Sequence, residues 1–209
     1  FDENYEEPVG NFYGEPNGTN EVVFVESMDG FGQAVSLDGT DQFVEIVGGD
    51  ENNLENPYNV DDPDSGNWSI AGWFRVAAFD TSWQCLLSKG EGSNYRVARR
   101  SGDTNKIAYA GGAPEGPADS PDVGDGEWHS FVAITDAAMG TDLYIDGMPY
   151  EHQAQLPQLT GSDLPLMIGE NPGARNREWN GDIDDIALWN RVLTQEEVEQ
   201  LNSAPLGTL

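Results

Sequence analysis

Apolar residues recur along this chain in short runs with a two-residue period, and clusters of Gly, Pro, Asn and Asp separate the runs. That period belongs to strands, whose successive side chains point to opposite faces. Runs at 22–26, 34–37, 43–47, 68–76, 85–88, 95–99, 106–110, 128–135, 142–145, 166–168 and 183–189 predict strands. Asp38-Gly39 and Asp146-Gly147 supply hairpin turns, because Asp-Gly accepts positive backbone dihedrals. So many strands with no intervening helices predict an all-β fold, two antiparallel sheets stacked as a sandwich. One helix is predicted, at 195–202. Thr194 caps it, Glu197 completes a capping box, and Val198 and Leu201 share the face that packs on the sandwich. Polar stretches at 48–67, 111–126 and 169–180 read as long loops on a rigid scaffold, where binding functions concentrate.

Composition narrows the partners. Nine basic residues face 38 acidic ones, for a formal net charge of −29. Nucleic acid and anionic membrane surfaces are thereby excluded, since their phosphates are repelled. An acidic surface suits salty water, which points to a marine or halophilic setting, and cations such as calcium remain acceptable. Six tryptophans argue against disorder, and no apolar stretch reaches the length of a membrane span. The length of 209 residues fits a single sandwich domain over 1–209. Cys85 is the one cysteine, so no internal disulfide forms, and a buried inert thiol is expected. The chain opens at Phe1 without methionine or a signal peptide, which suggests a processed chain or a module cut from something longer.

Several ordered segments resemble the laminin-G-like jelly-roll domains, relatives of the concanavalin A-like lectins and of the pentraxins. They are Gly32-Gln-Ala-Val-Ser-Leu-Asp-Gly39 with Phe43-Val-Glu-Ile46, Trp68-Ser-Ile-Ala-Gly-Trp73, and Leu86-Leu-Ser-Lys-Gly90. Gly126-Glu-Trp-His129 and Leu143-Tyr-Ile-Asp-Gly147 form the most specific pair. Gly181-Asp-Ile-Asp-Asp-Ile-Ala-Leu-Trp189 and the Leu193–Val198 stretch close the domain, strand then helix. The set spans roughly residues 20 to 205 in the family's order. Phe1-Asp2-Glu3 resembles the end of the family's first strand, without the residues that usually precede it. The resemblance implies a secreted or cell-surface domain for adhesion, recruitment or glycan binding, often with bound calcium. Fold alone does not fix the ligand.

Catalytic patterns are weak. A retaining glycosidase needs two carboxylates about 5 Å apart across the sugar. The nearest match to the related glucanases' pattern is Asp182-Ile-Asp184-Asp185, which has no glutamate. His129 opens an apolar strand and reads as structural, and His152 lies in a polar stretch. No serine triad, phosphate loop or zinc spacing is present.

Candidate calcium ligands form two groups. Asp184 alternates with Ile186 and Leu188, so on strand spacing it shares their face and is a buried carboxylate needing donors or a cation. Asp38 or Asp2, on strands the fold should bring near, could complete a cage. The pentraxin resemblance adds a rim pair, Glu91 with Asn94 and Glu170 with Asn171. For a sugar ligand, Trp179 is the leading aromatic platform, with Trp83 and Tyr58 behind it. Arg175 and Arg177 share its loop and suit an acidic or sulfated sugar, and Asn94 adds an amide.

The sequence therefore points to an extracellular, non-catalytic binding module for polysaccharide or glycoprotein, with calcium as cofactor. The alternatives are a structural or adhesive subunit of a filament, surface layer or virion, with neighbouring subunits as partners, and a glycan hydrolase or lyase.

Overall fold

The computed structural model describes residues 12–48, 66–117 and 120–205. One sheet runs β1 (Phe12–Asn17), β4 (Phe43–Gly48), β12 (Leu166–Ile168), β6 (Cys85–Ser88), β7 (Tyr95–Arg99), β8 (Ile107–Gly111). The other runs β11 (Met148–Gln153), β10 (Gly140–Ile145), β9 (Trp128–Asp136), β5 (Trp68–Val76), β13 (Asn180–Trp189), β3 (Gln33–Asp38), β2 (Val23–Glu26). All their pairings are antiparallel. This is the expected two-sheet sandwich of the jelly-roll type, with its one short helix.

The period-2 pattern explains the core. Trp68, Ile70, Phe74 and Val76 on β5 face Leu86, Tyr95, Val97 and Tyr109 of the opposite sheet within one apolar cluster. Burying one such side chain contributes roughly 1.5–3 kcal/mol. Alternate β5 residues point the other way, and Ala71 joins Val132, Ile134, Val198 and Leu201 in a second cluster beneath α1 (Gln195–Leu201). That helix has the capping box read from Thr194 and Glu197.

Strand β13 departs from simple alternation. Asp184 pairs with Trp73 and Ala187 with Ala71, so three steps on β13 match two on β5, and Asp185 takes a left-handed φ of 48°. This is a β-bulge, and it resets which face each later residue occupies. Ile183, Ile186 and Leu188 all pack against the main core as a result. Gly72 makes room for the shifted Ile186: a Cβ there would lie 2.4 Å from Ile186 Cδ1 and 2.9 Å from Phe131 Cε1.

Two strands lie outside the sequence reading, β1 with Pro16 and β11 with Pro149. Proline demotes a strand pattern because it cannot donate to the ladder, but at a sheet margin that donor is not needed. Both are outermost strands. Among the described residues no helix is long and apolar enough to cross a membrane.

Candidate functional site

A pocket of about 620 Å³ opens on the outward side of the β7–β8 end of the six-stranded sheet. That size lies within the range of small-ligand sites. Its floor includes Ala110, and Trp83, Glu91, Glu115, Gln158 and Arg177 stand around it, with Arg96 at the centre. Strand alternation places Arg96 there: Tyr95 and Val97 enter the core, so Arg96 between them must face outward.

The walls are fixed by backbone ties. Gly112 N–H donates to Gly92 at 2.9 Å, and Gln158 N–H to Gly112 at 2.7 Å, joining three loops. The Arg177 carbonyl accepts from Cys85 N–H at 2.7 Å, which seats the 169–180 loop beside β6. The turn before β6 hangs on Gln84, wholly buried, whose carboxamide accepts from Asp80 N–H at 2.9 Å and donates to the Ala78 carbonyl at 2.9 Å. Trp83, next to it, is half-buried and takes a left-handed φ of 59°. A bulky residue rarely adopts this backbone, and such strain collects at functional sites.

The charges interlock. The Arg96 guanidinium donates to Glu91 through one terminal nitrogen and to Glu115 through the other. It also lies 4.8 Å from the centre of the Trp83 ring, a cation–π distance. Arg177 Nη1 donates to Glu91 at 2.9 Å, and Asn171 Nδ2 to the same oxygen at 2.9 Å. The Arg96 side chain is only 7% exposed, whereas that of Glu91 is 45% exposed. The pocket therefore holds two guanidiniums and two carboxylates, with Glu91 outermost, Arg177 and Glu115 comparably exposed at 23% and 21%, and Arg96 innermost.

Several expected site residues have other roles. Trp179 is wholly buried, its ring edge-on to Phe74 at 5.7 Å and Phe79 at 5.9 Å. Its backbone N–H donates to Gly169 at 2.8 Å, which folds the loop end under the core. It is a core residue and not an exposed platform. Asn94 is buried too, its amide donating to the Thr160 carbonyl at 2.8 Å and its oxygen accepting from Tyr95 N–H at 3.1 Å. Arg175 lies 4.4 Å over the Phe43 ring and 3.4 Å from Glu170, away from the pocket lining. Of the expected sugar-binding residues, Arg177 and the second-ranked aromatic Trp83 reach the pocket, as does Glu91 of the expected rim. Trp83 replaces Trp179 as its aromatic, and Arg96 and Glu115 were not anticipated. The polar residue between Tyr95 and Val97 was the available signal for Arg96.

Of the described candidate calcium ligands, the rim pair meets through the Asn171–Glu91 hydrogen bond, and Asp184 and Asp38 stay apart. Asp184 is buried, but the bulge places it on the sheet's other face from Ile186 and Leu188. It accepts from the Ser27 hydroxyl at 2.5 Å and from Asp185 N–H at 2.9 Å, and burial pushes its carboxyl up. Asp38 pairs with Asn180 in register, four positions down β13 from Asp184, about 13 Å at strand rise. It accepts from Thr40 N–H at 2.9 Å in an exposed turn. Glu170 accepts the N–H groups of Asn171, Asn176 and Arg177 at 2.7, 3.1 and 3.1 Å, so its oxygens hold a loop. Asn171 donates to Glu91 and accepts from Gly173 N–H at 2.8 Å. Asp2 and Tyr58 lie outside the described residues. Among the described residues, Asp184, Asp38, Glu170 and Asn171 direct their oxygens to protein donors and do not form a calcium cage. Among the described residues no three acidic, His or Cys side chains converge as a metal site.

His129 is structural in its contacts: its ring nitrogens lie 2.8 Å from Asp146 and 3.1 Å from Asp125. Burial opposes its charge, but the two carboxylates outweigh burial and raise its pKa. Cys85 is buried, and burial pushes its thiol up, out of nucleophile range.

The fold recurs in solved structures. Domain 4 of an extracellular arabinanase from Geobacillus stearothermophilus, in complex with arabinotriose, is similar over 96% of this chain and 93% of its own, at TM-score 0.69 and 17% identity. The binding domain of Paraclostridial Mosquitocidal Protein 1 is similar over 91% of this chain, at TM-score 0.64 and 16% identity. A botulinum neurotoxin serotype D/C binding domain is similar over 93%, at TM-score 0.66 and 14% identity. This chain spans 47% of each toxin structure. No protein of curated function matches the sequence. A family model, the concanavalin A-like lectin/glucanases superfamily, matches residues 20–199. Most of the described sandwich falls inside that match, and the chain belongs to the concanavalin A-like lectin/glucanase superfamily.

Proposed function

We propose that this chain is an extracellular, non-catalytic binding module for polysaccharide or glycoconjugate, and that the sugar sits in the pocket between Trp83, Glu91 and Glu115. The observation that carries this reading is the left-handed backbone of Trp83, which holds a half-buried indole at the pocket wall. Strain on a bulky residue persists only where surrounding structure enforces it, and here buried Gln84 does so. Sugar rings stack on flat apolar faces, and carboxylates and amides around them accept and donate to hydroxyls. The arabinanase domain bound to arabinotriose and the two toxin binding domains support a binding role for this sandwich.

Hydrolysis is not part of the proposal. A glycosidase requires one carboxyl to deliver a proton to the leaving oxygen. Glu91 and Glu115 both accept from Arg96, so each is committed to an ion pair.

The test is a glycan-binding screen on the intact chain and on Trp83→Ala, with and without a chelator. Binding that disappears in Trp83→Ala, while folding and thermal midpoint are kept, supports the site. Binding that is equal in both proteins places the sugar elsewhere. The proposed contacts need no cation, so chelation is expected to leave binding unchanged; loss on chelation would return calcium to the site.

A further inference from the structure

We infer that the pocket selects neutral sugars over acidic sugars, because the Arg96 guanidinium is withheld behind two carboxylates and the most exposed charged group is Glu91. This rests on the proposed sugar-binding role of the same site.

The argument is one of which charge the ligand meets. Arg96 is the more deeply set of the two guanidiniums that line the pocket, its side chain 7% exposed. Both of its terminal nitrogens already donate to carboxylates. Arg177 is 23% exposed and donates to Glu91. A uronic or sulfated sugar would have to displace Glu91 or Glu115 to pair with Arg96, and would meet Arg177 beside the Glu91 carboxylate. It would do so against the field of a chain with net charge −29.

A neutral sugar asks for something different. Its hydroxyls donate as well as accept, and the outermost charged group here is the Glu91 carboxylate, a strong acceptor. The exposed Ser93 and Gln158 line the same pocket and can complete the pattern. The chain thus separates two tasks. Its surface charge keeps anions away, and its pocket recognises hydroxyls without net charge.

The consequence is measurable as salt dependence. Affinity resting on net charge falls steeply with ionic strength, whereas affinity from hydroxyl contacts and stacking does not. Calorimetry on the intact chain would compare arabinotriose and maltotriose with trigalacturonate and a sulfated trisaccharide, at low and high salt. Binding of a neutral trisaccharide with unchanged affinity across salt, and no binding of the charged ones, is expected. A charged sugar that binds the wild type and is lost in Trp83→Ala overturns the selectivity and leaves sugar binding at the site standing. Absence of binding across a broad array of all these classes overturns both. The variant Glu91→Gln with Glu115→Gln exposes Arg96 to a ligand. It should bind the neutral sugar about tenfold more weakly and acquire affinity for trigalacturonate. Unchanged selectivity in a folded double variant overturns the inference. If the double variant fails to fold, the salt series on the wild type decides alone.

Discussion

The Trp83 indole lies 4.8 Å over the guanidinium of Arg96, on a backbone with φ of 59°. A glycine adopts this backbone without strain, and alanine does not. Trp83→Gly should therefore be more stable than Trp83→Ala by about 1 kcal/mol. Both should lose sugar binding. Chemical denaturation of the two variants beside a binding assay checks the pair; an alanine variant as stable as the glycine one would remove the strain argument.

Trp179 should behave in the opposite way. It is wholly buried between Phe74 and Phe79, so Trp179→Ala should cost about 3–5 kcal/mol of stability. Any loss of binding should track unfolding. Denaturation midpoints of Trp179→Ala and Trp83→Ala, measured together, separate a core tryptophan from a ligand-facing one.

Gly72 and Ile186 form a matched pair across β5 and β13. Gly72→Ala forces a methyl against Ile186 and Phe131 and should cost roughly 1–3 kcal/mol. Adding Ile186→Val removes the clashing Cδ1 and should recover part of that loss. A double-mutant cycle in urea reads the coupling, and additive effects would contradict the contact.

Acid should stabilise this fold locally. Glu151 accepts from Arg100 at 2.6 Å and from Tyr109 N–H at 3.2 Å, yet burial pushes its carboxyl from 4.5 up to about 7. Between those values the folded state holds a proton that the unfolded state releases, so stability falls as pH rises from about 4.5 to about 7. The shift amounts to at most ~3 kcal/mol. His129, raised by Asp146 and Asp125 against the opposing effect of burial, acts in the same direction. Its contribution is present at low pH and lost as pH rises through its folded value. Glu151→Gln should flatten the stability curve across that window. Parallel curves for wild type and variant would sink the assignment.

Much of the architecture was legible because burial writes a two-residue period into a strand. The core-facing residues of β5 and β9 and the Thr194–Glu197 cap were all readable in this way. The bulge at Asp184 and Asp185 was not, because counting by twos assumes no extra residue, and that error put Asp184 on the wrong face. Trp179 was misjudged from its polar loop, although it shares parity with Gly181 and Ile183 and so belonged to the core side. The pocket was the least readable part. Glu91, Arg96, Glu115 and Arg177 meet through loops whose closure depends on backbone ties such as Gly112 to Gly92. No local pattern announces such ties.

The outermost strands carry a further consequence. Pro16 interrupts the hydrogen-bonding rim of β1 and Pro149 that of β11. On β8 the Tyr109 N–H is already taken by the Glu151 carboxylate, and β2 offers only four residues. A strand from a neighbouring molecule thus finds no long, regular row of donors and acceptors on which to add itself. Even at high local concentration, copies of this sandwich should stay separate and not zip into fibres. A chain so guarded is suited to act as an independent unit that does not recruit its neighbours through its backbone.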